Sequence, residues 1–124
     1  VLAPANLPAG WQTVRARWIP RGQTGGASEA QPGDTVQLGY LTPGRTYIGL
    51  DQSDAAASAF VKRVTRDGRP NGSSTVSGAA WQRLTSDDAR TNYLVKTESD
   101  ATVVVSGDLG FDALEAFAGT LAAS

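Results

Sequence analysis

The stretch Val36-Gln37-Leu38-Gly39-Tyr40-Leu41-Thr42-Pro43-Gly44-Arg45-Thr46-Tyr47-Ile48-Gly49-Leu50-Asp51-Gln52 decides the fold. Val36, Leu38 and Tyr40 alternate with other residues, the period of a half-buried strand. Thr42-Pro43-Gly44-Arg45 places Pro and Gly at the two centre positions of a tight turn. Thr46 to Gln52 then returns as the partner of a hairpin. A short turn joins only antiparallel strands, since a parallel pair needs a long crossover.

Upstream, Val14, Ala16 and Trp18 alternate with Thr13, Arg15 and Arg17, which predicts a further strand with Trp18 in the core. Arg21 to Gly33 is rich in Gly, Gln, Ser and Pro and reads as an exposed loop. Downstream, Ser53-Asp54 announces a helix by a hydroxyl cap and a first-turn acid. Ala57, Phe60, Val61 and Val64 give it one apolar stripe, and Asp67-Gly68 ends it. Asp67 to Gly72 reads as a loop, followed by weak strands at 75–77 and 80–84. Arg90 to Thr97 and Ala101 to Ser106 form a last hairpin, turning through Glu98-Ser99-Asp100. The apolar run Val103-Val104-Val105 marks the sheet centre. A second helix follows, with Leu114, Phe117, Ala118 and Leu121 on one face.

The expected fold is therefore α+β: an antiparallel sheet of about six to seven strands with two helices packed on it. Residues 1–10 read as a leader or tether that follows a removed membrane anchor, because the chain opens at Val1 and carries two early prolines. Residues 11–124 form a single domain.

Composition narrows the chemistry. The chain has no His, Cys or Met, and its formal charge is −1 from 11 basic and 12 acidic residues. Without His and Cys there is no ordinary neutral-pH base, no thiol nucleophile, and only oxygen ligands for a metal. A Ser-His-Asp triad is impossible. Neither a phosphate loop nor a calcium loop can be read. No basic patch points to nucleic acid, and no apolar run reaches transmembrane length.

The motifs Leu38-Gly39-Tyr40-Leu41-Thr42-Pro43 and Tyr47-Ile48-Gly49-Leu50-Asp51-Gln52-Ser53, with Leu7-Pro8-Ala9-Gly10-Trp11, Gly78-Ala79-Ala80-Trp81 and Val103 to Gly107, carry a family resemblance. The chain resembles the extracytoplasmic part of actinobacterial membrane-anchored proteins that form a domain family of unknown function. The resemblance covers most of the chain. It implies an N-terminal membrane anchor absent from this chain and an extracytoplasmic location, and it supplies no catalytic residue. The plan is also similar to the PsbP-like α/β/α sandwich.

The expected function is non-enzymatic: binding an envelope protein or a small ligand, with no cofactor and no metal. The alternatives are a histidine-free hydrolase or transferase using carboxylates, with Asp51, Asp87 and Asp88 as candidates, and a structural subunit of a membrane complex. The candidate binding residues are Tyr47, Gln52 and Ser53 at the strand-to-helix junction and Trp81 with Arg83 on a later strand. Free N–H groups at a helix start suit an anion, and Trp and Arg suit a contact surface. Each has a plainer reading as a cap or as core.

Overall fold

The computed structural model describes residues 2–4, 9–19, 34–54, 60–61, 64–65, 68–98 and 101–123. Its main element is a seven-stranded antiparallel sheet. The strands are β2 (Gln12–Ile19), β3 (Thr35–Leu41), β4 (Tyr47–Ser53), β5 (Arg69–Val76), β6 (Ala79–Thr85), β7 (Asn92–Thr97) and β8 (Thr102–Gly107), in the order β2-β3-β4-β8-β7-β6-β5. Helix α1 (Phe111–Ala118) follows β8. Within the expected leader, β1 (Leu2–Pro4) pairs antiparallel with β9 (Leu121–Ala123). Positions 5–8 of that leader lie outside the described residues.

The opening hairpin forms as its residues dictate. Arg45 N–H bonds to Thr42 O across Pro43 and Gly44, and Thr42 N–H bonds to Thr46 O. Arg45, not Gly44, takes the left-handed conformation, with φ of 66°. In β5–β6 the turn is Ser77-Gly78, both at positive φ, the geometry that matches strand twist in two-residue hairpins. β8 is the central strand, and Val103, Val104 and Val105 are buried on both faces.

Register sorts the side chains. One face carries Tyr40, Ile48, Leu50, Trp81, Leu94, Val103 and Val105, packed with Leu114, Phe117 and Ala118 of α1. Phe117 lies 5.8 Å from the Trp11 ring and 5.4 Å from Tyr40. The other face carries Leu84, Tyr93, Val95 and Val104 against Phe60, Val61 and Val64.

Four expectations are corrected. One complete helix, not two, is present among the described residues. Of the expected first helix, Phe60, Val61, Val64 and Thr65 are helical, and 55–59, 62–63 and 66–67 lie outside the described residues. The segment 69–72 is strand, not loop: β5 is an edge, where Pro70 need donate nothing, and a bulge between Pro70 and Ser73 admits Gly72 at φ 92°. Leu121 leaves the last helix, which Gly119 ends, and joins β9.

Trp18 is the fourth correction, being 64% exposed. Thr13 is opposite Tyr40, under the Phe117 end of α1, but Trp18 is five residues further along the edge strand. That is about 17 Å at strand rise. An eight-residue helix is about 12 Å long and does not reach it.

Candidate functional site

Among the described residues, the face away from α1 is unevenly covered. Toward β6 and β7 it is apolar and closed by Phe60, Val61 and Val64. Toward β2, β3 and β4 it carries Arg15, Arg17, Gln37, Tyr47 and Asp51. Here two glycines, Gly39 on β3 and Gly49 on β4, sit directly opposite each other. Glycine inside a strand often marks a place where another group must approach the backbone. In this sheet that group is the Tyr47 ring.

A Cβ at Gly39 would stand 2.6 Å from Tyr47 Cε2 and Cζ, and one at Gly49 would stand 3.5 Å from Cε1. The outer edge of the ring therefore passes over Gly49 and Gly39, across β4 and β3, on a floor of bare backbone. Its other surface is open, and Tyr47 is 44% exposed. Ser106 Oγ stands 2.9 Å from the same Gly49 position, next to the ring on β8.

A pocket of about 460 Å³ opens beside this platform, lined by Arg45, Thr46, Tyr47, Thr91, Ser106 and Asp108. Thr91 Oγ1 donates to Asp108 Oδ1 at 2.6 Å, which fixes both groups. Arg45 reaches the site from its left-handed position in the β3–β4 turn. A non-glycine residue there carries strain, and such strain gathers at functional sites. A second pocket of about 540 Å³ shares Thr91 and Ser106 with the first and is lined also by Thr65, Ser86, Asp87 and Asp88.

The β6–β7 loop at this second pocket is braced. Ser86 Oγ donates to Asp88 Oδ1 at 2.6 Å and accepts from Thr91 N–H at 3.1 Å. The Ser86 hydroxyl, and then the Arg90 N–H, hold the Asp88 carboxyl below the ordinary range. Asp87 accepts from Arg69 Nε at 2.8 Å. On the sheet itself Asp51 stands opposite Gln37, which accepts from Arg15 Nη2 at 2.8 Å. Burial pushes the Asp51 carboxyl up to about 6, against the attraction of Arg15.

Of the residues expected to bind, Tyr47 alone is at this groove. Ser53 is the last residue of β4, buried, and its Oγ accepts from Thr35 Oγ1 at 3.3 Å. Gln52 is buried on the α1 side of the sheet, opposite Val36 and Val103. Trp81 is 3% exposed, inside the α1-side core. Arg83 lies on that same side: Nε donates to Ser74 Oγ at 2.7 Å and Nη2 to Glu115 Oε2 at 2.8 Å. Its guanidinium covers the Phe111 ring at 4.7 Å. Trp81 and Arg83 thus share a face with each other and not with Tyr47.

Residues 1–121 match the family described as Protein of unknown function (DUF4245). The chain belongs to that family. No curated protein matches it. Among the described residues of this DUF4245 domain no helix is long and apolar enough to cross a membrane, and no cluster of three acidic residues is placed to hold a metal ion.

Proposed function

We propose that this DUF4245 domain is a non-enzymatic binding module whose ligand is a polyhydroxylated, sugar-like small molecule seated on Tyr47. The observation that supports it is the Tyr47 ring, laid over Gly39 and Gly49 with its outer surface open to a polar groove. A sugar ring has an apolar C–H face and a rim of hydroxyls. An aromatic body receives the first, and a few fixed polar groups orient the second. Arg45 offers donors, Asp108 offers acceptors, and Thr91 and Ser106 offer hydroxyls that do both. The second pocket shares Thr91 and Ser106 with this one.

The module works at the extracytoplasmic face of the membrane, held there by an anchor outside this chain. The family motifs at 38–43 and 47–53 support that location. Reactivity of the full-length protein with an impermeant label on intact cells tests it.

Ligand-observed NMR against a panel of mono- and oligosaccharides tests the site. Tyr47→Ala should weaken binding more than about tenfold, and Tyr47→Phe should keep most of it. Tyr47→Ala also gives up about 2 kcal/mol of ring burial, so its binding is compared below its lowered melting midpoint, and Tyr47→Phe, which keeps the ring, should melt close to the native chain. Equal binding by Tyr47→Ala and the native chain refutes the assignment.

One observation favours a second reading, a histidine-free hydrolase. Asp51, with its carboxyl pushed up to about 6, has the pKa of a general acid near neutral pH. Turnover of a bound saccharide that is abolished by Asp51→Asn would establish it.

A further inference from the structure

We propose that the outer edge of β2 accepts an extended acidic segment of a partner protein by strand addition. This surface adjoins the Tyr47 platform, with Arg15 opposite Gly39, but no β2 residue lines the Tyr47 pocket. Three observations carry it.

The first is the edge itself. β2 is eight residues long, and among the described residues no strand pairs with its outer side. Gln12 to Trp18 are exposed without interruption. Alternate residues of an edge strand turn their N–H and C=O groups outward, a template for another strand. β2 has its own bulge between Thr13 and Arg15, so its regular open stretch is Arg15 to Ile19, whereas the opposite edge, β5, adds Pro70 and Gly72 to its bulge.

The second is apolar exposure. Val14 is 50% and Trp18 64% exposed, and with Tyr47 they are the large apolar side chains most open to solvent. An exposed tryptophan beside open backbone amides suits side-chain pockets of the kind strand addition uses for specificity.

The third is charge. Arg15 and Arg17 lie two apart, opposite Gly39 and Gln37, on the face away from Trp18. Residues 9–19 contain no acid. In an added strand, alternate residues meet one face. A strand with acidic residues at alternate positions places them against Arg15 and Arg17, and puts its other face against Trp18. A second copy of β2 would instead bring arginines near arginines, and like charges across strands are destabilising.

Titration calorimetry with three short peptides tests this: Glu alternating with Val, Lys alternating with Val, and Glu alternating with Gly. The Glu–Val peptide should bind about tenfold or more tighter than the other two. Arg17→Glu should reverse the preference between the Glu–Val and Lys–Val peptides. Trp18→Ala should weaken the Glu–Val peptide at unchanged melting temperature. Hydrogen exchange should slow at β2 amides when the peptide is present. Equal binding of the Glu–Gly peptide would reduce the effect to charge and overturn strand addition. Failure of Arg17→Glu to alter the preference, protection located elsewhere, or dimerisation of the free protein through β2 in sedimentation would overturn the proposal as well.

Discussion

Gly39→Ala should destabilise the domain, and Tyr47→Ala should remove most of that penalty. The added Cβ would stand 2.6 Å from Cε2 and Cζ of Tyr47, where ordinary contact begins near 3.4 Å. The overlap is nearly 1 Å against two atoms of a rigid ring. Overpacking of this kind costs about 1–3 kcal/mol. Tyr47 has an escape, because it is 44% exposed and can swing off the sheet. That limits the loss to the burial the ring gives up. An aromatic side chain buries about 150–250 Å². Half of that at about 25 cal/mol per Å² is roughly 2 kcal/mol. Once Tyr47 is alanine the new Cβ meets no ring, and Gly→Ala in an unstrained position stabilises by about 0.4–1 kcal/mol. A urea-unfolding cycle over the native chain, both single variants and the double variant should therefore show coupling of about 2 kcal/mol. The single Gly39→Ala variant should also lose the saccharide contact, since the displaced ring no longer offers a flat surface. If the two substitutions add within about 0.5 kcal/mol, the ring does not lie on Gly39 and the platform argument fails.

Two further outcomes follow from the same geometry. Burial pushes the Asp51 carboxyl to about 6 against an ordinary 3.8, so folding favours its neutral form more than the unfolded chain does. Its contribution is complete below about pH 4 and is lost as pH rises through about 6. Asp51→Asn should match the native chain near pH 4 and exceed it near pH 7 by about 2–3 kcal/mol. Parallel stability curves from pH 4 to 8 would refute this. On the other face, Arg83 and Glu115 join β6 to α1 at 2.8 Å, each about a third exposed. A double-mutant cycle on Arg83→Ala and Glu115→Ala should give coupling of about 0.5–1.5 kcal/mol; additive losses would show that the helix is held by packing alone.

The hairpin pairs β3–β4 and β7–β8 were legible because hairpin turns are local, whereas the order of the sheet was not, since no turn joins its neighbours β4 and β8. Pro43-Gly44 and the 98–100 turn each specify an antiparallel neighbour without reference to the rest of the chain. Val103-Val104-Val105 was legible for a related reason: only a strand covered on both faces is apolar at every position. Trp18 was not legible. Alternation says which face a side chain shares, and Trp18 does share the face of Tyr40 and Val36. It does not say how far along that face the covering helix extends. Trp81 and Arg83 show the same limit: alternation placed them together, and only the position of α1 makes their face an interior one. The platform did have a sequence signal that alternation missed. Gly39 and Gly49 interrupt two otherwise good strands, but a two-residue turn on Pro43-Gly44 would set Gly39 opposite Ile48; they face each other because Arg45 joins the loop and Thr42 pairs with Thr46. Two facing glycines leave a gap in a sheet, and Tyr47 is two residues from one of them on the same face.

Uneven coverage of the sheet by the described residues accounts for both surfaces proposed above. Seven strands at about 4.8 Å spacing make a sheet about 29 Å across. Helix α1 lies over β5, β7 and β8 and reaches β3 through Phe117 against Tyr40. Phe60, Val61 and Val64 cover Leu84, Tyr93, Val95 and Val104 on the other side. Neither covering group reaches Trp18, and the side chains of the β2–β4 end change accordingly from valine and leucine to arginine, glutamine and aspartate. A chain that needed only stability would fill the Gly39–Gly49 gap with β-branched residues, which pack well on a pleated surface. Here the gap holds an aromatic ring half open to solvent, next to an arginine held at positive φ. Substituting Arg45 by Asn, which tolerates that conformation better, tests whether the strain serves binding. Function at the groove requires Arg45→Asn to gain about 0.5–1 kcal/mol of stability while losing saccharide affinity. A variant that gains stability and binds as before would leave Arg45 a turn residue only, and would confine the site to Tyr47, Thr91, Ser106 and Asp108.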